Sequence, residues 1–194
     1  MNNNQSTVEY ELKGEIACIY LNRPERLNAV VPELVEELVQ AFEKAEQDQA
    51  KAVILSGRGR AFCSGHDLKS DQNEESEPER RSRLQRIQDI TRKIRQAPYP
   101  VIASVHGYAL GAGCEFALCC DLVIADKEAE FGFPEVSVGL SVTGGISHLL
   151  PKAIGLVKSK ELLFLSERFT ALEAKQLNLI NFVVDPGELE NASM

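Results

Sequence analysis

The chain has no uninterrupted apolar run of the kind that spans a bilayer, for which a helix needs about 20 residues. Its opening residues, Met-Asn-Asn-Asn-Gln-Ser-Thr, lack the basic and apolar segments of a signal peptide, so a cytoplasmic protein is expected, with residues 1–7 disordered. Positive charge is scarce and scattered: 21 Lys and Arg against 29 Asp and Glu give a net charge of −8. That balance argues against nucleic acid or an acidic membrane as partner. Cysteine is present but in no metal-binding pattern. Cys18, Cys63, Cys114, Cys119 and Cys120 are odd in number, lie mostly among apolar neighbours and form no Cys-x-x-Cys, so reduced core thiols are expected and no metal site. His106 and His148 read as packed or hydrogen-bonded rather than as ligands. No Gly-x-Gly-x-x-Gly and no Gly-Lys-Ser/Thr is present, which disfavours dinucleotide and nucleotide loops. No repeat of identical residues is readable.

With 194 residues, 44% of them hydrophobic and 26% charged, the chain can bury a core, and one domain over residues 1–194 is expected. Val8–Leu12 and Ile16–Leu21 predict a hairpin around Lys13-Gly14-Glu15. From Pro32, apolar Leu34, Leu38, Ala41, Phe42 and Ala45 recur at three and four residues and predict an amphipathic helix to about Gln47. Residues 52–56, 101–105, 122–125 and 181–184 read as strands. Helices are predicted from about Pro78 to Gln96, near 146–150, 155–165 and 171–177, with residues 185–194 ending the chain without another element. Strands alternating with helices make the fold class α/β. The polar, acidic residues 69–79 predict a surface loop. Arg80, Arg81, Arg83 and Arg86 are read as a solvated helix face in preference to phosphate contacts.

Two turns and two glutamates concentrate the chemistry. The strand at 101–105 leads into His106-Gly-Tyr-Ala-Leu-Gly-Ala-Gly-Cys-Glu115, and Glu115-Phe-Ala-Leu-Cys-Cys begins an apolar helix. Glycines between strand and helix let the backbone turn and let a ligand approach its N–H groups. A helix start also favours an oxygen that develops negative charge. Close packing alone would explain the glycines equally well. A second small-residue turn, Ala61-Phe-Cys-Ser-Gly-His-Asp-Leu68, follows the strand at 52–56. Glu135 follows Phe131, Phe133 and Pro134; an apolar setting would raise its pKa, as a proton donor near neutral pH requires, and a surface glutamate after a turn is the competing reading.

Together the pieces resemble the crotonase superfamily, the enoyl-CoA hydratase/isomerase family. Five segments carry the resemblance: Leu21-Asn-Arg-Pro-Glu-Arg-Leu-Asn-Ala29, 61–68, 100–115, Asp121-Leu-Val-Ile-Ala125 and Phe131-Gly-Phe-Pro-Glu-Val-Ser-Val-Gly139. They keep family order and spacing over nearly the whole chain. The resemblance implies a crotonase-like spiral of ββα units that binds an acyl-CoA thioester. By position, it implies that the backbone N–H groups of His66 and Ala112 form an oxyanion hole, that Glu115 acts chiefly as base, and that Glu135 supplies the C2 proton. Gly139 falls where the family helps place the water. Arg26, Leu27, Ala29, Ser64, His66, Asp67, Leu68 and Lys69, with Ala112, fall at the substrate and CoA contacts. Two acids favour a hydratase over an isomerase, with no metal or redox cofactor and coenzyme A as part of the substrate. A catalytically silent acyl-CoA-binding protein is the reading from another class. Family members continue past Val183-Val-Asp-Pro186 into C-terminal helices that cover the acyl pocket and build the oligomer. Nothing after that point matches them here, so that region is expected to be absent, and the homotrimer or hexamer that the resemblance implies would have to be built otherwise.

Overall fold

A computed structural model describes residues 6–67 and 76–194. The predicted hairpin is present as antiparallel strands β1 (Val8–Lys13) and β2 (Ile16–Leu21). Ser6 and Thr7, in the segment expected to be disordered, bond through their side chains to Glu37. Helix α1 (Pro32–Gln47) keeps the bounds that its periodicity predicts, and it buries Leu34, Val35, Leu38, Ala41, Phe42 and Ala45. Each large side chain withdrawn from water this way contributes ~1.5–3 kcal/mol. The chain continues through β3 (Ala52–Gly57), α2 (Glu77–Gln96) and β4 (Val101–Val105). It then forms β5 (Tyr108–Leu110), α3 (Ala112–Cys119), β6 (Leu122–Asp126) and β7 (Glu130–Gly132). The last part holds α4 (Ile146–Ile154), α5 (Leu156–Leu165), β8 (Arg168–Thr170), α6 (Ala171–Gln176), β9 (Phe182–Val184) and α7 (Leu189–Ser193).

The six strands β1-β2-β3-β4-β6-β9 form one sheet, parallel from β2 onward. A second sheet has the order β5-β7-β8. Each turn of the chain places one strand in the large sheet and the next stretch across it: β4 is followed by β5 and α3, and β6 by β7. The same step follows β3, because Cys63 bridges Ala109 before α2 begins. This repeated step of a strand and a glycine turn makes the α/β fold a spiral of ββα units. Val53, Leu55, Val101, Ala103, Val105 and Ala125 point from the large sheet into one core with Phe42, Phe62, Phe116 and Phe131. All five cysteines are free and buried.

Three expectations are corrected. Helix α3 starts at Ala112 rather than at Glu115, since Gly113 packs in its first turn without ending it. Three-residue strands β5, β7 and β8 are additional elements; segments so short carry no alternation to read. The end of the chain carries α7, after the Pro186-Gly187 turn, and its Ser193 hydroxyl donates to Ser104 Oγ at 3.0 Å against β4.

Candidate active site

The two predicted turns meet, and backbone joins them to each other. Phe62 and Cys63 N–H groups donate to the His106 and Tyr108 carbonyls at 2.9 Å, and Leu110 N–H returns to Cys63 O at 2.9 Å. Glycine is required where the strands come closest: a Cβ on Gly113 would overlap the Cys63 carbonyl, and one on Gly107 the Arg60 carbonyl. Gly65, with φ 91°, packs so that a Cβ would stand 2.9 Å from Leu110 O and 3.6 Å from Ala112 N. His66 and Ala112 are thus brought side by side. Ala112 heads α3, so its N–H has no partner within the helix and lies at the positive end of the helix dipole. His66 is fixed from the other side by its bridge to Val30, with Val30 N–H on Gly65 O at 2.8 Å and Asp67 N–H on Val30 O at 3.0 Å.

The two glutamates flank this junction in different settings. Glu115, in the first turn of α3, is 0% exposed. Its Oε1 accepts from Thr143 N–H at 2.8 Å and its Oε2 from Gly144 N–H. Burial raises its pKa most and the nearby charge of Glu135 adds to this, while the Thr143 and Gly144 donors pull the other way; the outcome is about 7. Glu135 is 8% exposed and stands at the start of the 3₁₀ turn Pro134–Val138. Its Oε1 lies 3.1 Å from where a Cβ on Gly111 would be, and its Oε2 has no partner among the described residues. Burial raises its pKa also. Two carboxyl groups with raised pKa values beside a pair of backbone turns suit proton transfer near neutral pH.

A cavity of about 630 Å³ opens over the junction, lined by His66 and Glu135, by one face of α2 and by residues 140–145. Of the other predicted substrate residues, none among the described ones lines it. Arg26, Leu27 and Ala29 belong to the loop that grips the first turn, where Ser64 N–H donates to Leu27 O at 3.0 Å. Asp67 pairs with Arg23 at 3.2 Å, and Arg23 also donates to the Ala29 carbonyl. Gly139 closes the 3₁₀ turn with φ 74° and is not among the residues that line the cavity. Leu68 and Lys69 fall outside the described residues.

Residue-type patterns missed several parts of the site. The Thr143 and Gly144 N–H donors belong to a stretch that reads only as a flexible loop; the Gly144-Gly145 pair is the signal that a close approach occurs there. Arg23 and Asn28 sit in the resembling segment yet are given no role. Asn28 is fully buried and holds the loop shut, accepting from Arg23 N–H at 2.8 Å and donating to Arg58 O at 2.9 Å and Ala61 O at 2.8 Å.

A sequence model of the enoyl-CoA hydratase/isomerase family matches residues 11–194. The chain belongs to that family. Among curated relatives it is 36% identical over 190 residues to a short-chain-enoyl-CoA hydratase of Clostridium acetobutylicum, covering 97% of this chain and 72% of the relative. To a crotonyl-CoA hydratase of Syntrophomonas wolfei it is 38% identical over 181 residues, covering 92% of this chain and 69% of the relative. The fold matches an enoyl-CoA hydratase of Mycobacterium smegmatis with a TM-score of 0.91 at 34% identity, over 97% of this chain and 74% of that one. An enoyl-CoA hydratase/isomerase of Xanthobacter autotrophicus gives 0.91 at 37% identity, over 96% and 70%. The family membership that the five segments imply, and the spiral α/β fold with it, is therefore shown.

Proposed function

We propose that this family member is an enoyl-CoA hydratase, adding water across the double bond of a trans-2-enoyl-CoA to give a 3-hydroxyacyl-CoA. The observation that carries the reading is the convergence of two buried carboxyl groups on the junction of two backbone turns. In this reading the N–H groups of His66 and Ala112 hold the thioester oxygen, which gains negative charge as water attacks; each such donor is worth ~3 kcal/mol in the transition state. Glu115 takes a proton from the water while the water oxygen bonds to C3. The electron pair of the double bond shifts to give the enolate, and Glu135 delivers a proton to C2. Water is added with no net oxidation or reduction, so the reaction needs neither a metal nor a redox cofactor, and coenzyme A enters as part of the substrate.

Arg26, Leu27, Ala29, Ser64, Asp67, Leu68 and Lys69 are proposed as the CoA-facing loops, and Gly139 as the turn that sets the approach to Glu135. Asp67 works through its pairing with Arg23, which shapes the loop, rather than by charge attraction to an anionic ligand. The shared hydrophobic core supports reading residues 1–194 as one domain. Association into a homotrimer or hexamer is supported by the apolar side chains that α5 presents to solvent, with Val157 84%, Phe164 63% and Leu165 60% exposed. A cytoplasmic location is supported by the five unpaired thiols; no described helix is long and apolar enough to cross a membrane.

The test follows the ultraviolet absorbance of crotonyl-CoA mixed with the purified protein, with Glu115→Gln and Glu135→Gln in parallel. Loss of the enone-thioester absorbance in the wild type alone, with 3-hydroxybutyryl-CoA as product, bears out the reading. A shifted double bond as product makes the protein an isomerase, and binding without turnover makes it an acyl-CoA-binding protein.

A further inference from the structure

Helix α2 turns one face to the cavity, and on that face Thr91 has no assigned role. The residue is 8% exposed. Its Oγ1 is shut off from solvent and has no hydrogen-bonding partner among the described residues. The Cys119 thiol is close enough for the hydroxyl to act on the sulfur electrostatically, but it is a weak hydrogen-bonding group that already donates to the Gly144 carbonyl at 3.6 Å, so it does not satisfy the hydroxyl as an oxygen would. A buried hydroxyl left without a partner costs enough that its presence in a folded protein calls for a ligand or a water.

The position of Thr91 says which. A Cβ built on Gly144 would overlap Glu115 Oε2 and lie 3.0 Å from Thr91 Oγ1. The two oxygens therefore lie close to the same point, beside a backbone that only a glycine lets come so near. A water making two ordinary hydrogen bonds joins oxygens up to about 5.5 Å apart, and that span covers the gap. Threonine suits the task, because its hydroxyl both donates and accepts and can turn to match a water that is losing a proton.

We propose that Thr91 is a further catalytic residue: its hydroxyl, with Glu115, holds the water that attacks C3. The inference rests on the hydratase reading and adds to it a second polar contact on the nucleophile. Thr91 orients a lone pair of the water toward C3 while Glu115 accepts the proton, so the hydroxyl serves the addition step and not enolate formation as such.

That division gives the test. Wild type, Thr91→Val and Thr91→Ser are compared in two assays: hydration of crotonyl-CoA, and exchange of the C2 protons of butyryl-CoA in deuterated water. Exchange needs the oxyanion hole and Glu135 but no attack at C3. The expected result is that Thr91→Val, similar in shape but without the hydroxyl, lowers kcat for hydration by about 10- to 100-fold with KM nearly unchanged. Exchange should stay within about twofold of wild type, and Thr91→Ser should recover most of the hydration rate. Undiminished hydration in Thr91→Val overturns the proposal. So does a parallel fall of hydration and exchange, which marks a packing role. A wild type that exchanges C2 protons but does not hydrate crotonyl-CoA overturns the hydratase reading itself, which Thr91→Val alone cannot do.

Discussion

The surroundings of Glu115 and Glu135 differ more than their shared chemistry suggests. Glu115 grows from a helix in the core, and both its oxygens are met by backbone donors from the loop at 143–144. Glu135 stands on a 3₁₀ turn at the cavity wall with one oxygen unmet by protein among the described residues. Backbone donors stabilise the ionised form, so at Glu115 two of them from the loop oppose the burial that raises its pKa, whereas at Glu135 burial is opposed by its own backbone N–H.

The comparison is broken most directly by removing one carboxyl at a time. Glu135→Gln and Glu115→Gln should each lower kcat for crotonyl-CoA by ~10²–10⁴-fold, the range for a positioned acid or base, while a titration of a saturated acyl-CoA shows affinity changed by only a few-fold. Equal activity of either variant with wild type would remove that residue from the mechanism. Next in size is Gly113→Ala. Its new Cβ overlaps the Cys63 carbonyl, so the turn carrying Ala112 must shift, and steady-state assays should show a fall of ~10²–10³-fold, as for a lost oxyanion donor. Folding should be checked by melting, since the same contact is internal.

Gly144→Ala sharpens the contrast rather than removing it. The Cβ displaces Glu115 Oε2 or its Gly144 N–H donor, and loss of that donor raises the pKa of Glu115. In wild type the base must be ionised, so kcat should climb with pH through about 7. In Gly144→Ala the climb should move to higher pH, with about a tenfold loss at neutrality. An acidic limb in wild type near the ordinary carboxylate range would contradict the burial of Glu115. The smallest effect is on stability. The folded pKa of Glu115, about 7, exceeds its ordinary 4.5, so the folded state holds that proton more tightly. Stability from this group is full below pH 4.5 and declines as pH rises to about 7. Melting temperatures should accordingly fall across that interval, and Glu115→Gln should flatten the decline.

Much of the fold was legible because its long elements carry a period. Helix α1 from Pro32 and the strands at 52–57 and 101–105 follow directly from apolar spacing and β-branched runs. The second sheet was not legible, since Tyr108–Leu110, Glu130–Gly132 and Arg168–Thr170 are too short to alternate and owe their pairing to the spiral that brings them together. In the site, Glu115, Glu135 and the turns before them stand out as residue types and glycines. The groups that act through backbone do not: any residue can offer the N–H that Thr143 gives to Glu115. Thr91 is hidden for another reason, being one polar residue on a helix that is mostly polar, whose orientation only packing decides.

The contact of Gly113 with the Cys63 carbonyl has a consequence for how this protein can change. The junction of the two turns is made of main chain wedged against main chain, out of reach of most substitutions. The walls of the cavity, Leu84, Gln88 and residues 140–142, are side chains on a helix and a loop. A library that varies those walls should yield enzymes with new acyl preferences that all run the same reaction, because the part that would have to be reinvented is not written in side chains.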